Sequence, residues 1–206
     1  MSEFMSYDPW RKVTTRNGIQ GDLVISALQK SIRRGLAEEA VTFAYEMYIT
    51  SEQFENKLWR RLQAISVEDV GFGDLSAPVL INALNQMRQN FPYTDGDRPI
   101  FFVHAIRYLA AAKKDRTSDN LKNIVITEFN YGRLPVVPDF AFDMHTEQGR
   151  SMGRDFKHFL EEGSRVENEL PVAENYRARL LVLLDKIEQE EPQQIKNGFV
   201  YNAWQA

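Results

Sequence analysis

The densest group of chemistry-bearing side chains in this 206-residue sequence is Asp143, His145, Arg150, Arg154, Lys157 and His158. Imidazole and carboxylate are ordinary zinc and iron ligands, so Asp143, His145 and His158 form the candidate set for a metal-dependent enzyme. The preferred reading is plainer: Asp143 caps a short helix and the histidines make structural hydrogen bonds. Arg150, Arg154 and Lys157 are spaced i, i+4 and i+7. On a continuous helix they share one face, which makes them the candidate nucleic-acid contacts, gripping phosphate rather than reading bases.

A second group, Glu68, Asp69 and Asp74, surrounds Gly71 and Gly73. Clustered carboxylates can hold magnesium or serve as an acid and base pair, but at a junction between helices they are expected to be solvated or capping. Further basic clusters stand at Lys30, Arg33 and Arg34, at Arg60 and Arg61, and at Lys113, Lys114 and Arg116. Each reads as a solvated helix face or a favourable charge at a helix C-terminus.

Several chemistries lack their residues. No G-x-x-x-x-G-K-[ST] run is present, and phosphate binding in a P-loop ATPase needs the glycine amides, the lysine and the hydroxyl together. A nucleophile elbow, an H-E-x-x-H helix and a calcium loop are absent too. With no cysteine, disulfide and thiolate chemistry are excluded, and a reducing cytoplasm is the natural compartment. The formal net charge of −4 offers nucleic acid and anionic lipid no global attraction, so any DNA contact needs a local basic patch. The first sixteen residues contain no apolar run of a signal peptide, and no stretch approaches the ~20 apolar residues of a membrane span. The expectation is a non-enzymatic protein with no metal, no cofactor, no catalytic residue and no membrane partner.

The elements that would position these groups are helical. Asp22 to Arg34 carries Val24, Ala27, Leu28 and Ser31 on one stripe, with Asp22 as cap and Gly35 as terminator. Leu36 to Ile49 follows with Ala40, Val41, Ala44, Met47 and Tyr48. A third helix opens on Thr50, whose hydroxyl and Gln53 fit a capping box, and runs through Phe54, Leu58, Leu62 and Ile65. Such short links imply antiparallel packing. Beyond the glycines, Ser76 and Pro78 open a helix with Val79, Leu80, Ala83, Leu84 and Met87, and Leu62 and Leu84 are expected in the core. Pro99 begins a fifth helix with Phe102, Ala105, Ile106 and Leu109, and a sixth carries Leu121, Ile124, Val125 and Phe129. Gly132, Pro135 and Pro138 then interrupt regular structure. The organisation read from this pattern is an N-terminal extension over 1–21, a helical core over 22–130, and an irregular segment with a final helix over 131–206. That last helix, Val172 to Glu191 with Pro192 after it, presents Tyr176, Leu180, Leu183, Leu184 and Ile187. Its stripe needs a partner, with two outlets: the domain itself or another subunit.

The run Asp22-Leu23-Val24-Ile25-Ser26-Ala27-Leu28-Gln29-Lys30-Ser31-Ile32-Arg33 resembles the D-x-x-I-S-A-F-x-K-S-I-R segment of the replication-associated recombination ATPases, relatives of clamp loaders and of the Werner helicase-interacting protein. Ile65-Ser66-Val67-Glu68-Asp69-Val70-Gly71 is similar to that family's I-A-S-E-D-I-G stretch after paired arginines, here Arg60 and Arg61. His104-Ala105-Ile106-Arg107-Tyr108-Leu109-Ala110 is similar to its Q-A-V-I-Y-L-A helix. Order and spacing agree over roughly Asp22 to Leu121. Pro138 to Arg154 looks more loosely like the family's P-x-x-L-R-D-A-H tail. Two departures stand out: the A-P-K-S-N segment is replaced by Ala112 to Asn120, and the ATPase and lid regions are missing. The resemblance implies an all-α antiparallel bundle similar to the clamp-loader C-terminal oligomerisation domain, with an irregular C-terminal extension. It implies a non-catalytic oligomerisation and interaction domain in DNA replication, recombination and repair. The implied partners are further copies of the chain, a tetramer being suggested, with DNA or a separate ATPase served in trans as others. The family assigns no catalytic residue to this region.

Overall fold

The computed structural model describes residues 9–189, which are all-α: helices follow one another without a strand, and the one β feature among them is an isolated bridge between Thr14 and Gln20. Residues 1–8 of the expected extension, and the expected helix end at Glu191 with Pro192, lie outside the described residues. Two compact units divide between Arg133 and Leu134.

In the first unit, α1 (Gly21–Arg33) starts one residue before the expected cap, and Asp22 sits instead in its first turn, where a negative charge meets the helix dipole. Gly21 must be glycine, because a Cβ there would lie 2.8 Å from the Trp10 carbonyl oxygen. The helix ends as expected at Gly35, in the left-handed region at φ +76°. Gly35 N–H bonds to Ile32 and Leu36 N–H to Ser31, the paired bonds of a Schellman motif. Helix α2 (Ala37–Thr50) packs on α1, and α3 (Glu52–Ile65) packs on α2. The cap of α3 is Ser51, not Thr50: Ser51 is extended and its Oγ accepts from Phe54 N–H at 3.3 Å. Thr50 closes α2, and its hydroxyl bonds back to the Glu46 carbonyl at 2.6 Å.

A π turn (Ser66–Val70) and a short 3-10 turn (Gly71–Gly73) lead to α4 (Ala77–Met87), which packs on α5 (Pro99–Ala111). Proline stands in the first turn of both helices, where its missing N–H costs nothing. The core gathers Val24, Leu28 and Ile32 of α1, Trp59 and Leu62 of α3, and Phe102 and Ile106 of α5, and it includes Leu84 as expected. The face of α4 differs from expectation. Ala77, Ile81 and Leu84 are buried, whereas Val79 is 72% exposed and Met87 is exposed. Helix α6 (Thr117–Asn130) differs more, since Leu121, Ile124, Val125 and Phe129 are all exposed and its one buried residue is Asp119.

Inside this core lies an ionic clamp. Glu55 of α3, 1% exposed, accepts from Arg98 at 2.9 Å on each carboxylate oxygen and pairs with Arg88 at 3.0 Å. Arg88 also lies over the Trp59 ring. The clamp fixes the link between α4 and α5, because Arg98 also donates to the carbonyls of Arg88 and Phe91.

The second unit opens on short helical turns and ends on one longer helix. Helix α7 (Glu147–Ser151) is followed by α8 (Phe156–His158), which runs into a π turn (Phe159–Gly163), and α9 (Tyr176–Gln189) comes last. Asn175 starts α9, its side-chain oxygen accepting from Ala178 N–H at 2.9 Å, so the helix begins later than Val172. Among the described residues, no helix is long and apolar enough to cross a membrane.

Candidate functional site

The most elaborate polar assembly in the first unit is centred on Asp69, whose side chain is fully buried. The π turn at the end of α3 carries Glu68 and Asp69 inward, where α1 presents Gln29 and Arg33 one helical turn apart. Arg33 Nε donates to Asp69 Oδ1 at 2.6 Å and Gln29 Nε2 to Asp69 Oδ2 at 2.9 Å, and Arg116 donates to the same carboxylate. Glu68 accepts from Gln29 at 2.9 Å and lies 3.4 Å from Arg33, 3.4 Å from Arg61 and 3.5 Å from Arg116. Burial pushes the Asp69 carboxyl up, but hydrogen bonds from Arg33, Gln29 and Arg116 outweigh it and hold the group below its ordinary value. The Asp69 contact raises Arg116 in turn.

Arg116 extends the assembly into α6. It pairs with Asp119 at 2.5 Å, and Asp119 also accepts from Lys122 at 2.6 Å, which holds the Asp119 carboxyl below its ordinary value. The link before α6 is laid against the glycine turn: Asp115 N–H donates to the carbonyls of Asp69 and Val70 at 3.0 and 3.1 Å. A Cβ on Gly71 would lie 2.4 Å from the Asp115 carbonyl oxygen, and one on Gly73 2.4 Å from that of Lys113. Lys114 caps the C-terminus of α5 by donating to the carbonyls of Leu109, Ala110 and Ala112. The glycines therefore receive a segment of the chain itself.

This geometry decides the carboxylate group read from the sequence. Glu68 and Asp69 are brought together, but guanidinium and amide groups occupy their oxygens. Asp74 is elsewhere, held by Ser76 at 2.6 Å and by Tyr108. The result is a junction: α1, the end of α3 and the start of α6 are locked by one buried carboxylate. The apolar residues Leu121, Ile124 and Val125 then project from the side of α6 opposite Asp119, with Phe129 beside them. Arg33, Glu68, Asp69 and Arg116 all stood in sequence clusters, but nothing joined them across separations of 36 and 47 residues.

In the second unit, Arg150, Arg154 and Lys157 do not share a helix. The chain leaves α7 at Met152, passes Gly153 at φ +72°, and restarts at Asp155, which caps α8 by accepting from His158 N–H at 2.9 Å. Arg150 donates to the Met144 carbonyl at 3.0 Å. Arg154 Nη2 donates to both carboxylate oxygens of Asp139 at 2.7 and 2.8 Å, and its Nη1 donates to the Asp139 and Phe142 carbonyls. Lys157 pairs with Asp185 at 2.5 Å, which raises its pKa.

Asp143 does not cap α7; Thr146 does, accepting from Gly149 N–H at 3.0 Å. Asp143 sets the preceding turn, accepting the backbone N–H of His145 at 2.9 Å and standing 3.1 Å from its Nδ1. The His145 side chain, then its backbone N–H, holds the Asp143 carboxyl below its ordinary value. The His145 ring meets Phe159 edge-on, and His158 Nδ1 is buried without a hydrogen bond. Among the described residues, no three histidine, aspartate or glutamate side chains converge as a metal-ligand group, so Asp143, His145 and His158 are not assembled into one. Compared with known proteins, the chain matches no protein-family model and no curated protein.

Proposed function

We propose that this chain is a non-catalytic oligomerisation and interaction domain of the kind that ends the replication-associated recombination ATPases, its helices forming a bundle like the clamp-loader C-terminal domain. The observation that carries this reading is the exposed apolar surface of α6. Beyond Asp119, which ties its start to the first unit, Leu121, Ile124, Val125, Ile126 and Phe129 are all exposed, more than a helix that serves only its own core leaves open. Further support comes from two of the segments that resemble the family, over Asp22 to Arg33 and Ile65 to Gly71, which meet at Asp69 and anchor the start of this helix. In this reading the partners of the face are further copies of the chain, in a tetramer, in the cytoplasm. A DNA contact would use Arg150, Arg154 and Lys157, each exchanging its present protein partner for phosphate.

Size-exclusion chromatography with light scattering tests the proposal. The parent protein is expected to form an oligomer that the double substitution Leu121→Glu and Val125→Glu converts to monomer with helicity unchanged. A parent that stays monomeric at high concentration defeats self-association. The same outward face also favours a second reading, a subunit that binds a separate ATPase in trans, and pull-down from native extract with and without the double substitution separates the two.

A further inference from the structure

Pro135 and Pro138 interrupt regular structure, and each is preceded by a large apolar residue. Leu134 stands before one and Val137 before the other, so residues 134–138 form two apolar-proline pairs three positions apart, with Val136 between them. The segment belongs to no helix or strand, and all of its residues are exposed. Leu134 is 75% exposed, Val136 89% and Val137 59%, and none of them joins the hydrophobic core. Apolar side chains crowded on an open, irregular segment do nothing for the packing of their own chain, which points to contact with another molecule.

The prolines also set the backbone. Each ring holds φ at about −65°, and each proline confines the residue before it to extended or polyproline II geometry, so Leu134, Pro135, Val137 and Pro138 are restricted by the sequence itself. Pro138 has φ −74° and ψ 155°, the values of a polyproline II helix. Both ends are fixed locally: Arg133 N–H donates to the Glu128 carbonyl at 3.0 Å, and the Pro138 carbonyl accepts from Ala141 N–H at 3.0 Å. Between them the amides of Leu134, Val136 and Val137 hydrogen-bond to no other described residue. With about three residues per turn, a polyproline II helix puts Leu134 and Val137 on one edge and Pro135 and Pro138 on the next, with Val136 turned away.

Two other uses of the segment fit less well. A stiff spacer needs the prolines but no exposed leucine or valine before them. A strand added to a sheet edge donates its amides at alternate positions, and proline removes a donor from each edge, at 135 on one and at 138 on the other. Docking as a polyproline II helix needs none of these amides, and a backbone already in the bound shape leaves little ordering to oppose association. We propose that residues 134–138 dock into an aromatic-lined groove of a partner domain that binds polyproline II helices, the Leu134-Pro135 and Val137-Pro138 pairs filling neighbouring apolar pockets. This site lies outside the oligomerisation reading and stands whether or not the chain self-associates through α6.

The test passes the full chain over a panel of immobilised SH3 domains, which carry grooves of this kind, and reads binding by surface plasmon resonance. At least one domain is expected to bind, and Pro135→Ala with Pro138→Ala to weaken that binding at least about tenfold. Leu134→Ser with Val137→Ser, which keeps both prolines, is expected to weaken it as much. Val136→Pro is expected to bind at least as tightly as the parent, because it stiffens the segment and removes an amide the groove does not use. Circular dichroism is expected to be unchanged in all three variants. Binding by no domain of the panel overturns the proposal, as does binding indifferent to the paired proline or the paired serine substitutions. Binding lost on Val136→Pro would assign the segment to strand addition and overturn it equally. So does self-association of the parent that disappears on the proline substitutions, which would give the segment to a second copy.

Discussion

Helices α1 and α6 differ by one residue in length, 13 against 14, and both carry an apolar stripe, yet they present it in opposite directions. Val24, Leu28 and Ile32 of α1 are fully buried, while Leu121 of α6 is 61% exposed and Ile124, Val125 and Phe129 are exposed too. The buried anchor of α6 is a carboxylate instead, Asp119, tied through Arg116 to Asp69. Periodicity identifies the apolar face of a helix; it does not say whether that face belongs to its own chain or to a neighbour.

Core truncation should break the symmetry between the two helices most strongly. Leu62→Ala, in the core that α1 helps to close, should cost about 2–5 kcal/mol in urea unfolding, through lost transfer energy and the cavity left behind. Leu121→Ala should change the unfolding free energy of the dissociated chain by no more than about 0.5 kcal/mol. If Leu121 cost as much as Leu62 in a monomeric sample, the outward face would be covered within the chain and the contrast would fall.

The junction between the helices comes next. Asp69→Asn leaves Arg33 and Arg116 facing a neutral amide, and should cost about 2–3 kcal/mol at neutral pH. That is less than breaking a fully buried pair, since both arginines are partly exposed and screened by solvent. The pKa of Asp69 is lowered on folding, so its contribution is present above the unfolded carboxylate value of about 4 and is lost as pH falls through the folded value. Parent and variant stabilities should therefore converge in acid. A gap that stays constant from neutral pH into strong acid would show that Asp69 acts through packing alone.

The smallest effect belongs to the tether. Asp119→Asn should leave the unfolding midpoint nearly unchanged while speeding amide exchange across Asn120 to Asn130, a loosening confined to α6. Exchange that speeds equally in α1 would mean the two helices open as one cooperative piece.

Much of the first unit was legible because its signals are local. Gly35 terminates α1, proline opens α4 and α5, and Leu28, Leu62 and Phe102 fall on clean stripes. The expected cap of α3 falls one residue short of the observed one because Thr50 and Ser51 both carry a hydroxyl, and backbone extension at Ser51 decides between them. In α4 the run Val79-Leu80-Ile81 is apolar on every side, so periodicity could not select Ile81 over Val79. The junction was illegible for a different reason: the partners of Asp69 come from three elements, and no local spacing encodes their meeting. In the second unit, the premise that Arg150, Arg154 and Lys157 share a helix overlooked two stop and start signals between them, Gly153 and Asp155. The Asp139 and Asp185 partners that engage two of those cations lie 15 and 28 residues away.

The seating of the segment Lys113 to Asp115 on Gly71 and Gly73 bears on how the chain can vary over evolutionary time. With carbonyl oxygens 2.4 Å from where each Cβ would stand, the two glycines admit no side chain, although neither is in the hydrophobic core. The segment they receive is pinned along its length by the amide of Asp115 and the ammonium group of Lys114. Insertions and deletions between α5 and α6 would lift Arg116 off Asp69 and should be rare among descendants of this sequence. The link from Phe91 to Arg98 can change in length only outside the reach of the Arg98 clamp. Length variation should instead collect beyond Gly132, so that lineages of this protein diverge by remodelling the second unit while the junction stays constant to the residue.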